Sequence, residues 1–234
     1  LTPHLAGYRP FDPAYGYLFN SYYETVGPRH PRPARGLLSR PGIADIARYR
    51  AHVDGAMRRL ILTADEALWR DLAPLIELGL NHEEQHQELL LMDILHVFSR
   101  NSLDPAYRAA APRPRALMKL EWLDVAGGLR EIGAANGDFA FDNETPRHRV
   151  WLEPFRIAAR LVTCGEYLAF IGDDGYRRPE LWMSEGWATV NAQGWEAPLY
   201  WRHEGAGWSV FSLAGRGPLD PAAPVRHVSF YEAD

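Results

Sequence analysis

The character of the chain changes across DPAYRAAAPRPRA, residues 104–116, a stretch of prolines and arginines that can continue neither a helix nor a strand. Upstream, Leu, Ala and Arg recur at helical spacing. Downstream, from about Leu117, lie most of the Gly and Trp, with short apolar runs broken by turn residues. With 234 residues, 47% of them hydrophobic, there is enough material for two cores. The expected organisation is a helical domain over 1–103, a linker over 104–116 and a second, loop-rich domain over 117–234.

In the first part, DPAYGYLFNSYYETV (12–26) sets Tyr15, Leu18, Phe19, Tyr22 and Val26 at helical spacing behind Asp12 and Pro13, which suit a cap and a first helical position. The proline- and arginine-rich segment Arg29 to Gly42 cannot extend that helix. Ile46, Tyr49, Val53, Met57, Leu60 and Ile61 then form one apolar stripe, which predicts a second helix over 43–62. A helical turn near Ala64 to Asp71 follows, and Pro74 opens a third helix running to about Phe98. Three helices leave a four-helix arrangement one short, and a missing fourth before Leu1 would complete it.

In the second part, LREIGA, HRVWLEPFRIA and SVFSLA are β-compatible, while CGEYLAFIGDDG and PELWMSEGWATV read as short helices. Nothing alternates as a βαβ unit would, so the fold class is α+β. Six tryptophans of this part, Trp151, Trp182, Trp187, Trp195, Trp201 and Trp208, are expected in its core, because no basic face accompanies them. Phe141 to Glu144 (FDNE) reads as a turn.

The formal charge of -5 gives no pull toward nucleic acid or anionic lipid, and no apolar run is long enough to span a membrane. The one cysteine, Cys164, excludes an internal disulfide framework and fits a reducing cytoplasm; it reads as a small buried hydrophobe.

The third helix carries NHEEQHQELLLMDILH (81–96). At about 100° per residue, His82, His86, Leu89, Asp93 and His96 share a stripe less than about 90° wide, with Gln85 at its margin. Two imidazoles one turn apart can aim at one metal ion. HEEQH also matches the zinc-protease signature, in which Glu83 would be the general base, but Leu89 and Met92 stand where a metzincin has Gly and His. A solvated helix face is the plainest reading; a buried stripe with two histidines and an aspartate would demand a metal or hydrogen bonds. His4, His30, His52 and His96 are candidates for a third ligand, which the spacing alone does not choose.

The surrounding words carry more. GYRPFDPAYGYLFNSYYETVGPRHPRPARGLLSRP, YRAHVD and LGLNHEEQHQELLLMDILH resemble the amino-terminal half of the ergothioneine-biosynthesis sulfoxide synthases (EgtB), and FDNETPRHRVWLEPFRIAARLVTCGEYLAFIGDDGYRRPELWMSEGWATV resembles their second domain, of the formylglycine-generating, sulfatase-modifying-factor type with a C-type-lectin-like fold. The resemblance implies a DinB-like four-helix bundle, incomplete here, followed by an incomplete sulfatase-modifying-factor domain. It implies a non-haem Fe(2+) held by three histidines, which with O2 joins the sulfur of γ-glutamylcysteine, or of cysteine, to the imidazole C2 of Nα-trimethylhistidine and leaves a sulfoxide.

By position, His82 and His86 match two iron ligands and Gln85 a residue near the trimethylhistidine. Arg32 and Arg35 match the region that holds the carboxylates of the thiol substrate. With Arg29 and Arg40 they would form a carboxylate clamp on a proline-stiffened loop. The third histidine is expected upstream of Leu1 and the proton-donating tyrosine beyond Asp234. A start at Leu1 and an end in SFYEAD fit that expectation, under which the piece alone binds iron weakly and does not turn over. A zinc hydrolase and a non-catalytic metal-binding DinB-like protein remain as alternatives. The sequence does not distinguish the sulfur donors, or a selenium donor, and is silent on oligomeric state.

Overall fold

The computed structural model describes residues 1–234 apart from 21–23, 25–26, 32, 35–40, 110–115, 136, 138 and 206. Its contacts divide into two compact units, Leu1–Leu80 and Asn81–Asp234, and the division falls within one long helix.

In the first unit, α1 is a single turn, Tyr15–Leu18. The expected helix over 12–26 is therefore not reached in the described residues, which leave out Tyr22 and Val26, and its expected cap is corrected: Asp12 Oδ1 accepts from Ala14 N at 2.8 Å ahead of the helix, whose cap position is Ala14, while Asn20 accepts from His30 N at 2.7 Å through its carbonyl and donates its side-chain N–H to Gly27 O at 3.3 Å. These bonds to the following loop replace helix continuation at Asn20. Helix α2, Ile43–Thr63, begins where the stripe predicts, with Gly42 N donating to Asp45 Oδ2 at 3.1 Å. Asp65 then caps the next helix by accepting from Leu68 N at 2.8 Å.

Helix α3 runs unbroken from Glu66 to Ser99, through Pro74. The expected split into a turn and a later helix opening at Pro74 is corrected. An internal proline costs about 3 kcal/mol, but Leu72 and Ile76 on either side of it both pack into the cluster of Leu5, Ala56, Leu60 and Leu72. Burial of both flanking turns holds the helix through the proline.

Among its described residues the second unit carries seven strands in three small antiparallel sheets: β1 (Trp122–Val125) with β4 (Phe155–Ala158), β2 (Gly128–Ile132) with β3 (His148–Leu152), and β5 (Trp201–Glu204), β6 (Gly207–Ser212) and β7 (Gly215–Pro218) in that order. Helices α4 (Cys164–Gly172) and α5 (Ser184–Gln193) lie between them in sequence, and α6 (Phe230–Ala233) follows. The architecture is mixed helix and antiparallel sheet, as the α+β reading requires. Phe141 to Glu144 forms a short 3₁₀ turn over Asp142–Glu144.

The core of this unit gathers Cys164, Tyr167, Tyr176, Trp182, Val190 and Trp201, with Trp187, Trp195 and Trp208 packed against it. Five of the six expected core tryptophans are thus placed there. Trp151 is the correction: it is 67% exposed on β3, its indole N–H donating to Glu153 Oε1 at 2.8 Å. Cys164 is buried as expected.

Helix α4 is set by a capping box, in which Thr163 Oγ1 accepts from Glu166 N at 3.2 Å and Glu166 Oε2 accepts from Thr163 N at 2.9 Å. Residues 107 and 108, inside the segment read as linker, are tied to this unit, their backbone N–H groups both donating to Leu213 O at 2.9 and 3.1 Å. Arg216 Nε donates to Asp104 Oδ2 at 3.1 Å from the same side. No described helix is long and apolar enough to cross a membrane.

Candidate functional site

Helical geometry alone places His82 and His86 together on α3. Their ring centroids lie 4.5 Å apart with the planes at 74°, so one imidazole presents its edge to the other. His82 is half-buried and His86 exposed; Gln85 is exposed beside them. Glu83, the base of the peptidase reading, is also exposed.

Of the two readings of the stripe, a solvated face or a buried one, the described residues show a largely solvated face. His86, Leu89, Asp93 and His96 are exposed, Leu89 at 50%, and the adjoining Leu90 and Met92 at 59% and 56%. Periodicity specifies which residues share a face, while burial needs a neighbouring element that the spacing cannot supply.

Two nitrogen donors one turn apart suit a transition metal that accepts imidazole, Zn²⁺ or Fe²⁺ among them. Among the described residues no group of three or more His, Cys, Asp and Glu side chains gathers to hold a metal ion. Among the described residues the candidate donors are therefore this pair, and His30, His52 and His96, considered as a third ligand, have other surroundings. His52 Nε2 is 2.9 Å from Arg9 O, its ring beside Tyr8 and Phe11. His30 is buried against Tyr17. His96, about 15 Å along the helix from His86 at 1.5 Å per residue, has Nδ1 3.3 Å from Tyr200 Oη.

Arg32, Arg35 and Arg40 of the expected carboxylate clamp lie outside the described residues. Arg29 is described, and its guanidinium meets Glu24 Oε1 at 2.5 Å.

One cluster was not anticipated from the sequence. Tyr200 and His227, both left-handed at φ 74° and 61°, stack edge to face with centroids 4.9 Å apart, and His96 approaches the same tyrosine. A non-glycine residue held in that region costs on the order of 1–3 kcal/mol and persists where its surroundings over-determine it. Here Leu199 N donates to His227 O at 3.2 Å and Phe211 N to Tyr200 O at 3.0 Å. Burial raises the Tyr200 hydroxyl above its ordinary pKa; desolvation, then Arg226, lowers the His227 imidazole. No local pattern announces such a cluster, since its members are 96, 200 and 227 along the chain.

Comparison with known proteins bears on both halves. Residues 107–234 match the family described as sulfatase-modifying factor enzyme 1-like domain. The chain is similar to proteins named hercynine oxygenase: 32% identical over 208 residues to that of Mycolicibacterium thermoresistibile, covering 88% of this chain and 45% of the relative. To that of Mycobacterium tuberculosis it is 36% identical over 159 residues, covering 66% of this chain and 36% of the relative. To the Mycolicibacterium smegmatis protein it is 32% identical over 157 residues, or 67% and 36% of the two. The chain spans less than half the length of these curated relatives. By the match over more than half of its residues, the chain belongs to the sulfatase-modifying factor enzyme 1-like domain family.

Proposed function

We propose that this chain carries the metal-binding helix and part of the catalytic domain of a sulfoxide synthase of ergothioneine biosynthesis. The reaction joins the thiol of γ-glutamylcysteine, or of cysteine, to the imidazole C2 of Nα-trimethylhistidine at the expense of O2. Its balance is simple: the S–H and C2–H bonds break, a C–S bond and a sulfoxide oxygen form, and the second oxygen atom leaves as water. The observation that carries the reading is the convergence of His82 and His86, at 4.5 Å, in a chain 32% identical over 208 residues to a hercynine oxygenase.

Within this reading, residues 1–103 belong to a DinB-like bundle, 104–116 is the connection, and 117–234 belongs to a C-type-lectin-like domain. His82 and His86 would hold Fe(2+) through their imidazole nitrogens. Bound there, the ion supplies one-electron redox chemistry and open coordination positions. Gln85, one residue before His86 on α3, orients trimethylhistidine by hydrogen bonding, and Arg32 with Arg35 grips the carboxylates of the thiol in forked ion pairs. The reaction belongs in the reducing cytoplasm, where the thiol donor stays reduced.

The test is anaerobic Fe(II) loading of the protein at the full length of its relatives, then oxygen uptake with trimethylhistidine and γ-glutamylcysteine or cysteine. Thiol-dependent uptake with sulfoxide formation supports the proposal. Absence of both with every thiol tried overturns it.

A further inference from the structure

A cavity of about 430 Å³ opens at the far end of α3, away from the histidine pair. Its size suits a small-molecule ligand. It is lined by His96 and Arg100, one turn apart on α3, by Tyr200 and Arg202, and by Trp195 and Trp208.

Three features set this cavity apart from an accidental groove. The first is uncommitted positive charge. The Arg100 guanidinium makes no hydrogen bond or ion pair among the described residues, and Arg202 reaches only Glu204 at 4.0 Å, whereas Arg216, on the same cavity, is held by Asp104 at 3.1 Å. A guanidinium is a fork suited to one carboxylate.

The second is fixed aromatic surface. Trp208 is braced edge-on by Trp201 at 5.9 Å and His203 at 5.1 Å, and Trp195 packs against the core of the unit. A ring entering the cavity meets surfaces that are already positioned, so little side-chain entropy is lost on binding.

The third is the backbone. Tyr200, which lines the cavity, sits in the left-handed region, and so does its neighbour His227. Strain of this kind concentrates at ligand clamps, where surrounding bonds hold a side chain in a required place. Here it presents the Tyr200 hydroxyl beside His96.

We propose that this cavity is a second binding site, for a small monocarboxylate bearing an aromatic ring. Arg100 and Arg202 take the carboxylate, and Trp195 and Trp208 take the ring. Glu196 also lines the cavity and selects against a second negative charge. The site stands independently of the metal reading, because none of its residues belongs to the histidine pair.

The test uses three probes: benzoate, with ring and charge; benzyl alcohol, with the ring alone; and acetate, with the charge alone. Binding is followed by tryptophan fluorescence and by calorimetry. Benzoate is expected to bind at millimolar concentration or below, and each of the other two at least about tenfold more weakly. Arg100→Ala and Arg202→Ala, both at exposed side chains, should each weaken benzoate by about tenfold with an unchanged circular dichroism spectrum. The combined variant His82→Ala and His86→Ala should leave benzoate binding unchanged. The proposal falls if benzoate does not bind, if acetate or benzyl alcohol binds as tightly, if the arginine variants bind as well as the parent, or if the histidine variant abolishes binding.

Discussion

The imidazoles of His82 and His86, one helical turn apart, meet edge to face with 4.5 Å between centroids. If this pair holds metal, His82→Ala or His86→Ala should each lower Fe(II) or Zn(II) affinity by more than about 100-fold, since losing even a supporting group around a metal costs 10–100-fold. Metal content after dialysis checks this. Equal metal retention by the variants and the parent would remove the pair from the site.

Arg160 grips Glu166 with both prongs, at 2.7 and 2.8 Å, and Glu166 also closes the cap of α4. Hydrogen bonds from Arg160, then from the Thr163 backbone, hold the Glu166 carboxyl down at about 2. Because the folded value lies below the unfolded one, this stabilisation is present above about pH 4.5 and fades as the pH falls toward 2. Glu166→Gln should melt about 2–4 °C lower at neutral pH and show a flatter dependence of Tm across the acid window. Thermal melts by circular dichroism decide it; parallel acid profiles would refute the assignment.

Gly175 is buried against Phe170, and a Cβ there would stand 2.3, 2.4 and 2.6 Å from three carbons of its ring. Phe170 cannot swing clear, having Tyr167, Tyr176 and Trp182 about it with centroids at 5.4, 5.7 and 6.3 Å. Gly175→Ala should therefore destabilise by about 1–3 kcal/mol through overpacking, read as an earlier urea midpoint in tryptophan fluorescence.

In the first unit, Leu60 is only 3% exposed, in the cluster that also takes Leu72 of α3. Leu60→Ala should cost about 2–5 kcal/mol, measured by denaturation followed at 222 nm in far-ultraviolet circular dichroism, the helix signal. Ile61→Ala, at a side chain 43% exposed, should cost much less. Equal losses would show that the two residues are not packed as described.

That contrast also marks how far sequence reading carries. The apolar stripe predicted α2 within one residue of Ile43–Thr63, because i, i+3 and i, i+4 spacing is a property of the helix itself. It did not separate Leu60 from Ile61, since both are apolar and only the packing of Leu5, Ala56 and Leu72 distinguishes them. LREIGA, HRVWLEPFRIA and SVFSLA were legible as strands through their β-branched and aromatic residues. β5 (WRHE) and β7 (GRGP) were not, because they become strands by pairing with β6, as Trp201 with Val210 and Ser212 with Gly215.

The histidine pair belongs to the part that sequence determined alone: once a helix runs through 81–96, His82 and His86 must meet. Recognition of the family rested likewise on local words, and residues 107–234 bear it out. The continuity of α3 through Pro74, the exposure of its Leu89 face, and the meeting of His96, Tyr200 and His227 were decided only by tertiary structure. The reason is range. Spacing along a helix is set within four residues, whereas burial, strand pairing and a left-handed tyrosine are set by partners tens to a hundred residues away, whose approach no local pattern encodes.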